Sequence, residues 1–190
     1  MSILVAGIGN MFLGDDGFGP EVIRRLLAEG PAPAGVRMVD YGIRSLHLAF
    51  DLLGVERLIL IDALPTEETP GELVVLEIRP GDLEPAPFDA HTMSPAAILG
   101  TVTRLGEQLP PTYLVGCRID TAFEEIGLTP RVAAAVPRAI EAVHLLLDRT
   151  LAASPSPSSS PSSSSPSPST PSPLSSPSLS SSSESLPGRH

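Results

Sequence analysis

The stretch Ser2-Ile-Leu-Val-Ala-Gly-Ile8, closed by Gly9-Asn10, decides the fold. It shows no alternation of apolar and polar side chains, and an unbroken apolar run of this length fits a strand covered on both faces, as in a parallel sheet. Outward from it, Asn10 to Asp16 reads as a loop. Phe18, Val22, Ile23, Leu26 and Leu27 then recur at helical spacing, with Arg24, Arg25 and Glu29 opposite, until Gly30-Pro31 stops the helix. Val36 to Tyr41 predicts a second strand, Leu46 to Leu53 a second helix and Arg57 to Asp62 a third strand. Strand and helix alternating through short connections predict an α/β sheet with right-handed crossovers.

Glu72 to Ile78 is a further strand reached without an intervening helix, which predicts an antiparallel or edge position. Residues 81–92, broken by Pro80, Pro85 and Pro87, read as a loop delivering His91. Ser94-Pro95 has the form of an N-cap with proline at the first helical position, opening a helix to about Gln108. Thr112 to Cys117 is the last strand. Thr129-Pro130 repeats the cap signal and opens a helix to about Leu151, in which Pro137 predicts a kink or a restart.

The 190 residues carry 12 basic side chains, all Arg, against 22 acidic ones, for a net charge of −10. Residues 154–190 hold 20 Ser and 9 Pro in 37 positions, too little apolar surface to offset the entropy of ordering. The expected organisation is therefore one α/β domain over 1–153 and a disordered Ser/Pro-rich tail over 154–190. In the tail Glu184 cancels Arg189, so the whole acidic excess belongs to the domain. That charge argues against nucleic acid and against an anionic membrane as partners, since both select a basic footprint. The first apolar stretch is too short to span a bilayer and has no basic flank. With Cys117 as the single thiol no internal disulfide can form, and a cytoplasmic location is expected.

Open α/β sheets bind ligands at the carboxyl ends of their strands. By that rule Asp16, in the loop after the first strand, Asp62, read as the last residue of the third, and His91 become candidates. Two carboxylates and an imidazole make a site for a borderline divalent metal such as zinc or nickel. Plainer readings stand beside this one. Asp15 or Asp16 fits an N-cap or a charge at the positive end of the helix dipole, Asp62 a local capping bond, and His91 an ordinary loop histidine. His47 and His144 read as surface or packing residues, and Cys117 as an inert thiol. Gly7-Ile8-Gly9 begins a dinucleotide fingerprint, but position 12 is Phe12 where the third glycine is required, and Asp15-Asp16 would repel a pyrophosphate. A nucleotide-binding oxidoreductase is accordingly disfavoured.

Four blocks in this order, Ile3-Leu-Val-Ala-Gly-Ile-Gly-Asn10, Gly14-Asp-Asp-Gly-Phe-Gly19, Leu60-Ile-Asp-Ala63 and Asp89-Ala-His91, resemble the maturation endopeptidases of nickel–iron hydrogenases. The resemblance runs from about residue 2 to residue 149. It implies a three-layer fold with a twisted, mostly parallel five-stranded sheet between helices. It also implies an endopeptidase that removes a C-terminal peptide from the hydrogenase large-subunit precursor once nickel has been inserted. Carried over by position, the metal-contacting residues are Asp16, Asp62 and His91, with Asp16 standing where many relatives have Glu. Nickel is then a feature of the precursor, while zinc or another divalent ion stays open for the isolated protein. Asp15 is assigned to capping or to supporting the site. A non-catalytic nickel-sensing assembly chaperone would use the same residues, and only cleavage separates the two.

Overall fold

The structure, a computed structural model, describes residues 1–66, 69–79, 99–100, 102–103, 108–120 and 124–152. The loop over 81–92 with His91, the cap at Ser94-Pro95 and the tail from 154 lie outside the described residues. Five strands, β1 (Ile3–Ile8), β2 (Val36–Gly42), β3 (Arg57–Pro65), β4 (Leu73–Ile78) and β5 (Thr112–Ile119), form one sheet in the order β2-β1-β3-β5-β4. The pairs β1/β2, β1/β3 and β3/β5 are parallel, and β4 runs antiparallel to β5 at the edge. The expected fold class and the edge position of β4 are what the structure shows.

Helix α1 (Phe18–Glu29) follows β1, α2 (Ser45–Asp51) follows β2, and α3 (Pro130–Ala152) follows β5. Side-chain alternation sorts the buried strands into two cores. Ile3 and Val5 of β1, Ile59 and Ile61 of β3 and Val115 and Cys117 of β5 pack with α1 and α3. Leu4, Ala6, Ile8, Leu58, Leu60 and Leu114 pack on the opposite face with Leu48, Ala49 and Leu52, and with Leu99 and Val102. Residues 99, 100, 102 and 103 are helical, as the pattern after Ser94-Pro95 predicts. A strand covered on both faces has no use for polar side chains, which is why β1 and the Leu58 to Ile61 stretch of β3 are apolar throughout.

Three local expectations are corrected. β3 does not end at Asp62 but runs on to Pro65, because β5 keeps pairing with it as far as Pro65↔Ile119 although β1 has stopped at Gly7↔Ile61. Helix α3 is one element through Pro137 and does not restart there. Leu27 is exposed, so the buried stripe of α1 is Phe18, Val22, Ile23 and Leu26.

The junction of β1 with α1 depends on backbone meeting backbone. A Cβ on Gly7 would lie 2.6 Å from the Gly19 carbonyl oxygen, and a Cβ on Gly19 would overlap the carbonyl oxygens of both Ile8 and Ile61. The start of α1 therefore rests directly on the carboxyl ends of β1 and β3, where the strand order reverses and where doubly wound sheets hold their ligands. Replacing Gly19 with Ala should destabilise the fold by ~1–3 kcal/mol through this overlap. Gly100→Ala, at a helical position with nothing within 4 Å of the added carbon, should be neutral or stabilising by ~0.5 kcal/mol. Urea unfolding of both variants checks the contrast.

Candidate functional site

At the end of β1 the chain turns at Gly9, where φ is +130° and a side chain would overlap the Asp16 carbonyl oxygen. The Asn10 side chain then accepts the Phe12 N–H at 3.0 Å, closing an Asx turn. A single 3₁₀ turn at Gly14–Gly17 follows, directly before α1. It sends the Asp16 carboxylate back to the end of β1, where Oδ2 accepts the Asn10 N–H at 2.6 Å. Asp62 sits in β3 one residue beyond the last β1 pairing. It is only 5% exposed, its register partner on β5 is Gly116, and its Oδ1 accepts the Ala63 N–H at 2.8 Å.

The structure thus brings Asp16 and Asp62 to one place. Burial raises the pKa of Asp16, with the Asn10 N–H opposing it. Burial likewise pushes Asp62 well above its ordinary 3.8; the Ala63 N–H opposes the shift, and the charge on Asp16 adds to it. A buried carboxylate and a half-buried one meet at the switch point, and the charge on Asp16 makes ionisation of Asp62 harder. Such a pair either holds a proton or attracts a cation. Among the described residues no group of three or more His, Cys, Asp and Glu is placed to hold a metal ion. Asp16 and Asp62 are two of the three expected donors, and His91 falls outside the described residues.

Other residues take plainer roles. Neither Asp15 nor Asp16 caps α1, whose N-cap is Gly17 with no side-chain bond. Instead the Asp15 carboxylate accepts the Thr129 N–H at 2.7 Å and the Thr129 hydroxyl at 2.9 Å. His47 is exposed, and His144 pairs with Glu29 at 2.8 Å on the surface. Cys117 is buried, and desolvation together with the Asp15 charge pushes its thiol up to about 11, so it is inert at neutral pH. Beside the loop runs a groove of about 480 Å³ that includes Met11, Gly14, Gly17, Glu21 and Ile126. Hydrogen bonds from Arg24 and Arg25 hold Glu21 ionised, with its pKa lowered to about 2.

Fold and site together define a doubly wound α/β domain with a buried acidic pair at its switch point. The profile of the hydrogenase maturation protease family matches residues 20–145. Hydrogenase 2 maturation protease of Escherichia coli is 30% identical over 148 residues, which cover 75% of this chain and 88% of that one. The coenzyme F420 hydrogenase subunit delta of Methanothermobacter thermautotrophicus is 35% identical over 152 residues, covering 74% and 91%. Among solved structures, the hydrogenase maturating endopeptidase HybD from E. coli superposes with a TM-score of 0.67 at 28% identity, over 79% of this chain and 94% of that one. HybD from Thermococcus kodakarensis, a NiFe hydrogenase maturation protease, gives 0.60 at 27% identity, over 77% and 99%. The chain belongs to the hydrogenase maturation protease family, and it is an endopeptidase.

The raised pKa of Asp62 has a definite thermodynamic sign. A carboxyl whose folded pKa exceeds its unfolded value contributes stability that is complete below the unfolded value, near 3.8, and is lost as pH rises through the folded one. At pH 7 the fold is therefore less stable than it would be with a neutral group of the same shape at this position. Asp62→Asn keeps an oxygen for the Ala63 N–H and removes the charge. Its Tm at pH 7 should exceed that of the wild type, by about 2–4 °C per kcal/mol recovered, and the gap should close below pH 4. Calorimetry across pH checks the sign.

Proposed function

We propose that this endopeptidase removes a C-terminal peptide from the nickel-loaded large-subunit precursor of a nickel–iron hydrogenase, with Asp16, Asp62 and His91 engaging the metal. The observation that carries this reading is the pair of carboxylates brought together at the β1/β3 switch point, with Asp62 almost fully buried and Asp16 half-buried beside it. A site of this kind suits a cation that arrives with its own ligands. The nickel here is part of the substrate, held by the precursor's cysteine thiolates, and the enzyme's oxygen and nitrogen donors complete its coordination. Metal loading thereby becomes the condition for a productive complex. The relatives named as hydrogenase maturation proteases support the choice of substrate, as does the NiFe specification of the T. kodakarensis structure.

In this scheme Asp16 is the adjustable member of the pair. Its carboxylate is held by one backbone amide, that of Asn10, and it is less buried than Asp62. Asp62 is fixed in a central strand paired on both sides up to the preceding residue. The groove at Gly14 and Gly17, on the turn that carries Asp16, gives an extended peptide room, with exposed Met11 and Ile126 as apolar contacts.

The test is to mix the full chain with the large-subunit precursor of its own organism, loaded with nickel or free of it, and to weigh the products by mass spectrometry. The expected result is loss of a C-terminal peptide from the loaded precursor only. Asp62→Ala and His91→Ala should abolish the cut while remaining folded. Cleavage that is equally fast without nickel would remove the metal from the mechanism, and binding without cleavage would favour an assembly chaperone.

A further inference from the structure

Resting on the proposed function, we infer that Asp15 is a positioning residue: with Thr129 it forms a clasp that holds the turn presenting Asp16 to Asp62. Both oxygens of the Asp15 carboxylate are engaged, Oδ1 by the Thr129 N–H at 2.7 Å and Oδ2 by the Thr129 hydroxyl at 2.9 Å. Asp15 as a residue is 9% exposed and its partner lies 114 residues away. A second tie runs parallel to it, from the Gly14 N–H to the Glu125 carbonyl at 2.6 Å. The loop after β1 is thus fastened at two consecutive residues to the segment that leads into α3.

That anchor is rigid. Thr129 immediately precedes α3, its carbonyl accepts the Ala133 N–H at 2.8 Å, and Val132, Ala135 and Val136 are buried in the same core as Phe18 and Ile61. The turn it holds is not rigid by itself. It is a four-residue 3₁₀ segment with glycine at both ends, too short to be stable without external contacts. Successive side chains in such a turn point about a third of a circle apart. Asp15 therefore faces α3 while Asp16 returns to the Asn10 N–H and to Asp62. A carboxylate with both oxygens committed to the protein is not offered to a substrate, which separates the role of Asp15 from that of its neighbour.

The experiment compares Asp15→Ala, Asp15→Asn, Thr129→Val, Thr129→Ser and the Asp15→Ala/Thr129→Val double variant in the full chain, well below their melting temperatures. Cleavage of nickel-loaded precursor gives kcat and KM. Exchange of the Asn10 amide hydrogen, followed by NMR, reports the Asp16 contact without any precursor. Asp15→Ala should lower kcat by about 10- to 100-fold with KM little changed, as expected when a reacting group is displaced by about an ångström. Its Asn10 amide should exchange faster. Asp15→Asn should recover part of the loss, since an amide oxygen still accepts the Thr129 N–H. Thr129→Val should lose less than Asp15→Ala, Thr129→Ser should recover most of that loss, and the double variant should be no slower than Asp15→Ala alone. A folded Asp15→Ala with full kcat and unchanged Asn10 exchange overturns the clasp. So does an Asp15→Asn as inactive as Asp15→Ala beside an unaffected Thr129→Val, which would give Asp15 a direct chemical part. Should Asp15→Ala fail to fold, Thr129→Val decides the question by the same two readouts. Should the wild type not cut the loaded precursor, the functional reading falls, while Asn10 exchange still decides the clasp.

Discussion

The contact on which the rest of the structure depends is the one between the first turn of α1 and the carboxyl ends of β1 and β3, with no side chain between them. Gly7 and Gly19 permit it, since a Cβ on either would collide with backbone oxygen. Because α1 is pressed so close, the eight residues from Asn10 to Gly17 must fold back tightly within a short span. They do so through an Asx turn and a 3₁₀ turn that leave Asp16 hydrogen-bonded to the Asn10 N–H, two residues past the end of β1. The same closeness puts Asp16 within electrostatic reach of Asp62 on the neighbouring strand. The glycine pattern that fails as a dinucleotide fingerprint serves close helix-on-strand packing here, and acidic side chains stand where a pyrophosphate would need amides alone.

An enzyme that buries one carboxylate with a second beside it gives up stability for a purpose. Unlike the apolar side chains before it in β3, Asp62 lies where the fold would gain from a neutral residue, and its raised pKa records that tension. On the proposed function, the tension is relieved when the precursor brings a metal, so that recognition and electrostatic compensation are one event. The clasp between Asp15 and Thr129 adds a mechanical component. It keeps the pair from relaxing apart by tying the loop to the longest helix of the described residues.

Much of this architecture was legible in the sequence because it is local. The apolar run from Ile3 to Ile8 and the spacing of Phe18, Val22, Ile23 and Leu26 each report a periodicity that the finished fold keeps. What escaped is what depends on partners far along the chain. The extension of β3 through Pro65 follows from pairing with β5, some fifty residues later, and nothing in Ala63-Leu64-Pro65 announces it. Asp15 next to a helix start invites the reading of a cap, and its true partner, Thr129, was recognisable only as the cap signal of another helix. Asn10 carries no sequence signal as a donor, because the group that matters is its backbone N–H, which every residue but proline carries. The rule for strand ends points to Asp16 and Asp62, although Asp62 lies inside its strand and only the β1 pairing ends beside it.

The account turns on the carboxylate pair meeting the precursor's nickel, and X-ray absorption at the nickel edge addresses that contact directly. The sample is loaded precursor with its cleavage site altered so that it binds without being cut, measured alone and then with the full chain. The predicted result is a gain of oxygen or nitrogen scatterers on the nickel when the wild-type chain is added, and a smaller gain with Asp62→Asn. Unchanged coordination in a complex shown to have formed would contradict the account, since the pair would then be engaging something other than the metal.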